Sequence, residues 1–141
     1  MMNGPETVPY DGVLGTFRGA VAYSNRDDEY FSGENHYMNG VYCGFKWQCV
    51  EYARRFLLHT KGAIFGQCGR ASEIFEMKVI TNVETGEEFE FKQCANKKSK
   101  TPPRAGDVLI YPFVENQTPW GHVAVISYVS ADLKVAGIAE Q

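Results

Sequence analysis

An α+β domain, with one main helix laid on an antiparallel sheet, is the architecture the sequence predicts, and three observations predict it. The chain has 141 residues, a length that suits one compact domain. Trp47, Val50, Ala53 and Leu57 recur at helical spacing through Lys46–His59. Beyond them come short apolar segments separated by turn residues, the pattern of antiparallel strands. A helix followed by such strands buries its apolar stripe on them.

The elements follow in order. Gly12–Gly19 and Ala20–Tyr23 carry strand fragments, and Asn25–Gly40 reads as a long polar loop. The helix over Lys46–His59 is closed by Gly62 at the position after its last turn, where Lys61 faces the negative end of the helix dipole. A shorter helix fits Ala71–Phe75. Met77–Asn82 and Glu88–Gln93 flank Glu84-Thr85-Gly86, a hairpin signal. Asp107–Tyr111 has the continuous apolar character of a buried strand. His122–Val129 and Lys134–Ala139 flank a turn at Ser130-Ala131-Asp132.

Composition narrows the function. Net charge is −3 and hydrophobic residues make up 44%. A nucleic-acid binder shows a basic face instead. The one dense basic run, Lys97, Lys98, Lys100 and Arg104, lies beside Pro102 and Pro103 and reads as a solvated loop. No apolar run is long enough to span a bilayer, and Met1–Tyr10 has neither the basic start nor the apolar stretch of a secretion signal. A soluble, cytoplasmic protein with Cys43, Cys49, Cys68 and Cys94 as free thiols is the expectation. No Cys-x-x-Cys occurs, and His36, His59 and His122 are scattered, so neither a zinc site nor another cofactor is expected.

One constellation carries chemistry. Cys49 sits near the start of the main helix, where unpaired N–H groups and the dipole favour a thiolate. Its partner base should be a histidine on a rigid element, and His122 opens a strand just after Gly121. His59 is ten residues along the same helix, roughly 15 Å away, and is excluded. His36 in the polar loop stays open. Strand arithmetic selects the carboxylate: with the turn centred on Ala131, residue pairs sum to 262, and His122 faces Glu140. Asp132 would lie eight strand steps off, roughly 26 Å. A one-residue slip would turn Glu140 to the other face. The Cys49 N–H and the Gln48 side chain are candidate oxyanion donors. Asp27, Asp28, Glu29 and Glu34 could attract a cationic substrate. Each element has a plainer explanation too, since a lone helical cysteine is usually a core residue and a chain end usually frays.

The run Gly44-Phe45-Lys46-Trp47-Gln48-Cys49-Val50-Glu51-Tyr52-Ala53-Arg54-Arg55 resembles the amidase domain of the glutathionylspermidine synthetase/amidase and trypanothione synthetase family, within the cysteine, histidine-dependent amidohydrolase/peptidase (CHAP) group. Ala22-Tyr23-Ser24-Asn25, Gly106-Asp107-Val108, Gly121-His122-Val123-Ala124-Val125 and Ile138-Ala139-Glu140-Gln141 extend the resemblance over nearly the whole chain. It implies a papain-like fold over residues 1–141, with the cysteine-bearing helix packed on an antiparallel sheet. It also implies cleavage of the amide between the glutathione glycine and spermidine, in glutathionylspermidine or trypanothione, through a Cys49 thioester, with His122 and Glu140 completing the triad. Arg54 matches a family arginine near the glutathione end of the site, although five residues turn it about 140° from Cys49 around the helix. Family members continue past the Glu-Gln pair into an ATP-dependent synthetase domain. The expectation is therefore the N-terminal part of a longer bifunctional protein, whose strand end at Glu140 frays in this piece. The alternatives are a peptidoglycan-type CHAP amidase or endopeptidase, and a catalytically weak module that binds glutathione conjugates.

Overall fold

The computed structural model describes residues 8–27 and 29–141. Most of the Met1–Tyr10 segment, and Asp28 of the acidic loop, lie outside them. The chain opens with two hairpins, β1 (Val13–Phe17) with β2 (Ala20–Tyr23), and β3 (Asn35–Met38) with β4 (Val41–Phe45). Helix α1 (Cys49–Lys61) follows, then β5 (Ala63–Ile64), a 3₁₀ turn (Ala71–Glu76), β6 (Val79–Asn82) and β7 (Glu88–Glu90). The chain ends in β8 (Val108–Tyr111), β9 (His122–Val129) and β10 (Ala136–Ala139).

The α+β class holds, but the expected single sheet under the helix does not. Among the described residues there are four small antiparallel sheets: β1-β2, β3-β4, β5-β6-β7 and β10-β9-β8. Helix α1 lies between them, touching β2, β4, β5 and β9. Glu51 through Leu58 are therefore all buried, so the helix has no wet face in its middle. Tyr52, Ala53, Phe56 and Leu57 form the centre of the core with Val123 and Val125 of β9. Each large apolar side chain so buried contributes about 1.5–3 kcal/mol. Strand β4 passes so close that a Cβ on Gly44 would meet the Glu51 Cα at 3.2 Å.

The helix begins at Cys49 rather than at Lys46. Gln48 is extended (φ −78°, ψ 156°) and forms the cap position, so Lys46 and Trp47 precede the helix. At the other end Gly62 takes the left-handed conformation (φ 65°), and its N–H donates to the Leu58 carbonyl at 3.0 Å, as the sequence predicts. The polar loop expected over Asn25–Gly40 is shorter, because β3 occupies its second half. Asn39 and Gly40 both have positive φ (51° and 80°) and make the tight turn into β4. Strand β8 is half-buried throughout rather than enclosed. No helix among the described residues is long and apolar enough to cross a membrane.

Candidate active site

The site is assembled from the first residue of α1, the first residue of β9 and the segment just past β10. Cys49 is half-buried. As the first helical residue it has no intrahelical acceptor for its own N–H. The segment before it is held by aromatic and polar contacts. The Trp47 ring is 4.3 Å from that of Tyr23 and 4.9 Å from that of His36. Its backbone N–H donates to Asn25 Oδ1 at 3.0 Å, and its indole N–H donates to Asp11.

His122 is positioned by β8, where Tyr111 is its cross-strand neighbour. Gly121 (φ 68°) brings it there. A Cβ at that position would lie 2.7 Å from the Tyr111 carbonyl oxygen and 2.7 Å from Ser72 Cβ, so only glycine fits. The ring Nε2 stands 2.5 Å from Glu140 Oε2, which leaves Nδ1 for the thiol. The imidazole pKa is pushed up from 6.5 to about 9. The neighbouring Cys49 sulfur is the largest cause; burial opposes it, and the Glu140 carboxylate adds to the rise. The structure thus brings Cys49, His122 and Glu140 together.

The route by which Glu140 arrives differs from the expected register. Pairs sum not to 262 but to 265 at Ala136↔Val129 and Gly137↔Tyr128. That odd sum is the slip that turns Glu140 away from the His122 face. A bulge between Gly137 and Ile138 shifts the sum to 264 at Ile138↔Ile126 and Ala139↔Val125. The even sum brings Glu140 back to the His122 face, nominally level with Ala124. From this diagonal position its side chain reaches His122. Asp132 is turned into its own loop, accepting from Ser130 Oγ at 2.6 Å.

Beneath the helix start lies a buried network that sequence reasoning did not assign. The Glu51 carboxylate is fully buried and accepts two bonds from Arg55, at 2.8 and 3.2 Å. It also meets His36 Nδ1 at 2.9 Å and accepts from Gln141 Nε2 at 2.7 Å. Gln141 Nε2 further donates to the Gln48 carbonyl (3.2 Å), and Gln141 Oε1 accepts from the Tyr23 N–H (2.9 Å) and Arg55 (3.0 Å). The residue after Glu140 is therefore tied by hydrogen bonds to the residue before Cys49, at the strand end the sequence expected to fray. His36 belongs to this network, which answers the question the sequence leaves open about it. The i, i+4 spacing of Glu51 and Arg55 was the readable signal. His36 Nδ1, Cys43 Sγ and a Glu51 oxygen lie within 4.8 Å of one another, a spacing that could hold a metal ion. Arg55 already neutralises that carboxylate, and a second cation there would be repelled.

The remaining candidates fall as follows. The Gln48 side-chain amide donates to the Tyr30 carbonyl at 3.2 Å, next to the acidic loop. In that loop Asp27 Oδ1 accepts from the Glu29 N–H, and Glu34 accepts from the Tyr10 hydroxyl. Arg54 is 2% exposed. Its guanidinium donates to the carbonyls of Cys43 (2.8 Å) and Gly66 (2.9 Å) and lies over the Phe65 ring. These two bonds brace the loop after β5, while the Arg54 Nε is buried with no hydrogen-bond partner among the described residues. Burial pushes the thiols of Cys43 and Cys68 up, which disfavours their thiolates. A cavity of about 290 Å³ between β1 and β10, lined by Phe17, Tyr52 and Ile138, touches this site only at Glu140.

A thiol at a helix start, an imidazole beside it and a carboxylate on the imidazole's far nitrogen define the cysteine–histidine–acid class of hydrolase sites. The chain belongs to the CHAP domain family, whose model matches residues 40–141. It is 39% identical over 131 residues to a trypanothione synthetase of Crithidia fasciculata, covering 92% of this chain and 20% of that protein. It is 33% identical over 144 residues to a bifunctional glutathionylspermidine synthetase/amidase of Escherichia coli, covering 96% and 23%. A glutathionylspermidine synthase of Crithidia fasciculata is 28% identical over 157 residues, covering 98% and 21%. The chain thus spans about a fifth of the length of these relatives. Family and relatives together point to amidase-type chemistry.

Proposed function

We propose that this chain is a thiol amidase acting on glutathione–polyamine conjugates, arranged in the papain-like manner, and that it is the CHAP amidase domain of a longer protein with an ATP-dependent synthetase domain. The observation that carries the proposal is the convergence of Cys49, His122 and Glu140, with His122 held protonated to about pH 9. The names of the relatives support the substrate class.

The Cys49 thiolate attacks the carbonyl carbon of the amide joining the glutathione glycine to a spermidine nitrogen. The carbonyl oxygen becomes an oxyanion, stabilised by the Cys49 N–H and by the Gln48 amide once that amide leaves the Tyr30 carbonyl. As the C–N bond breaks, the amine departs with a proton from His122. Neutral His122 then takes a proton from water, whose oxygen attacks the thioester; the C–S bond breaks, glutathione leaves and the thiolate returns. Glu140 holds the ring so that Nδ1 faces the sulfur. Asp27, Glu29 and Glu34, beside Gln48, attract the polyamine end. The test is spermidine release from glutathionylspermidine: the intact protein should release it and Cys49→Ala should not. Full activity in Cys49→Ala would end the proposal.

A further inference from the structure

Arg54 and Arg55 are buried, their guanidinium groups bonded to the Cys43 and Gly66 carbonyls and to Glu51. A different arginine stands at the rim of the site. Arg70 is exposed and extended (φ −139°, ψ 146°) at the entry to the 3₁₀ turn Ala71–Glu76. That turn is tied to the His122 side, because the Ser72 N–H donates to the Trp120 carbonyl at 3.3 Å, two residues before His122. The Arg70 guanidinium lies over two aromatic rings, 5.5 Å from the Phe113 centroid and 5.8 Å from the Trp120 centroid. Both rings are themselves exposed, at 49% and 64%. Stacking of this kind holds the planar fork in place while leaving its N–H edge open. Among the described residues no carboxylate pairs with it.

On the His122 side Arg70 is thus a stacked guanidinium with no carboxylate partner among the described residues, while Asp27, Glu29 and Glu34 lie on the Gln48 side together with Arg26 and Lys46. We infer that Arg70, seated on Phe113 and Trp120, is a carboxylate-binding subsite that takes the carboxylate at the γ-glutamyl end of the substrate. The inference rests on the amidase reading and deepens it. In a glutathione–polyamine conjugate the glycine carboxyl is locked in the scissile amide, so the one carboxylate left is the α-carboxylate of the γ-glutamyl residue. A fork-shaped cation is the side chain suited to it. The α-carboxylate held on the His122 side sets the direction in which the amide lies across Cys49.

The test is calorimetric binding to Cys49→Ala protein, with and without Arg70→Ala. The probes are glutathionylspermidine and an analogue whose γ-glutamyl residue is replaced by 4-aminobutyryl, which lacks only the α-carboxylate. Arg70→Ala should weaken the full conjugate about tenfold and leave the analogue unchanged. Arg70→Lys, with charge but no fork, should fall between. An unchanged affinity for the conjugate, an equal loss for both ligands, or no binding of either ligand would overturn the subsite. Binding as expected, in a wild-type protein that never releases spermidine, would sustain the subsite and sink the amidase reading instead.

Discussion

Replacing Glu140 by glutamine removes one negative charge 2.5 Å from His122 Nε2 and keeps the shape of the side chain. His122 stands at about 9 against an ordinary 6.5. The Cys49 sulfur is the larger cause of that rise and Glu140 the smaller, with burial working against both. The Glu140 side chain is 44% exposed, so water screens its share. Glu140→Gln should therefore bring His122 down from about 9 to about 8, not back to 6.5. The sign follows from the mechanism: His122 must be protonated to release the amine, so activity is present below its pKa and lost as pH rises through it. The alkaline limb of kcat/KM should move down by about one pH unit. The rate at the optimum should fall ~10–100-fold, because the ring is less well oriented. The assay is kcat/KM for amine release from pH 6 to about 10.5, with NMR titration of the His122 ring alongside. An alkaline limb that does not move in Glu140→Gln, or a His122 that titrates near 6.5 in the wild-type protein, would refute the reasoning.

Gly121→Ala places a methyl group within 2.7 Å of the Tyr111 carbonyl oxygen at a φ of 68°. It should cost about 2 kcal/mol or more of stability and lower kcat by displacing His122; a variant with wild-type melting and turnover contradicts that placement. Arg55→Met leaves the fully buried Glu51 carboxylate without its guanidinium. The loss should be about 3–5 kcal/mol in urea unfolding, and Glu51→Gln in the same background should restore part of it; no loss in the single variant would show that the network does not hold the helix start.

Much of the fold was legible because its signals are local. The spacing of Val50, Ala53 and Leu57, and the glycine at 62, mark α1 almost to its end. The hairpin around Gly86 and the pairing of the last two strands follow from turn residues and apolar runs. The β3–β4 hairpin was also locally written, in Asn39-Gly40, but β3 reads Asn-His-Tyr-Met and only β4 carries an apolar run, so the first strand did not stand out from the polar segment before it. What was not legible is relational. Four sheets around one helix, rather than one sheet beneath it, is set by distant packing, and it buries Glu51, Arg54 and Arg55 together. The pairing sum chose Glu140 from a turn that does form at the expected residues, with the Leu133 N–H on the Ser130 carbonyl, but the strands pair only from Ala136↔Val129 outward. The real loop, with Leu133 at positive φ, is longer, and the Gly137–Ile138 bulge restores the parity that the longer loop removes. The resemblance placed Arg54 at the substrate, whereas its guanidinium is committed to the Cys43 and Gly66 carbonyls.

In the proposed reaction Cys49, and not another of the four cysteines, forms the acyl bond. Acid quenching of the reaction with glutathionylspermidine, followed by peptide mapping by mass spectrometry, tests it most directly. A glutathionyl thioester should appear on the peptide carrying Cys49, be absent from those carrying Cys43, Cys68 and Cys94, and persist longer in Glu140→Gln. Turnover that leaves Cys49 unmodified at every quench time, or an adduct on a different cysteine, would contradict it.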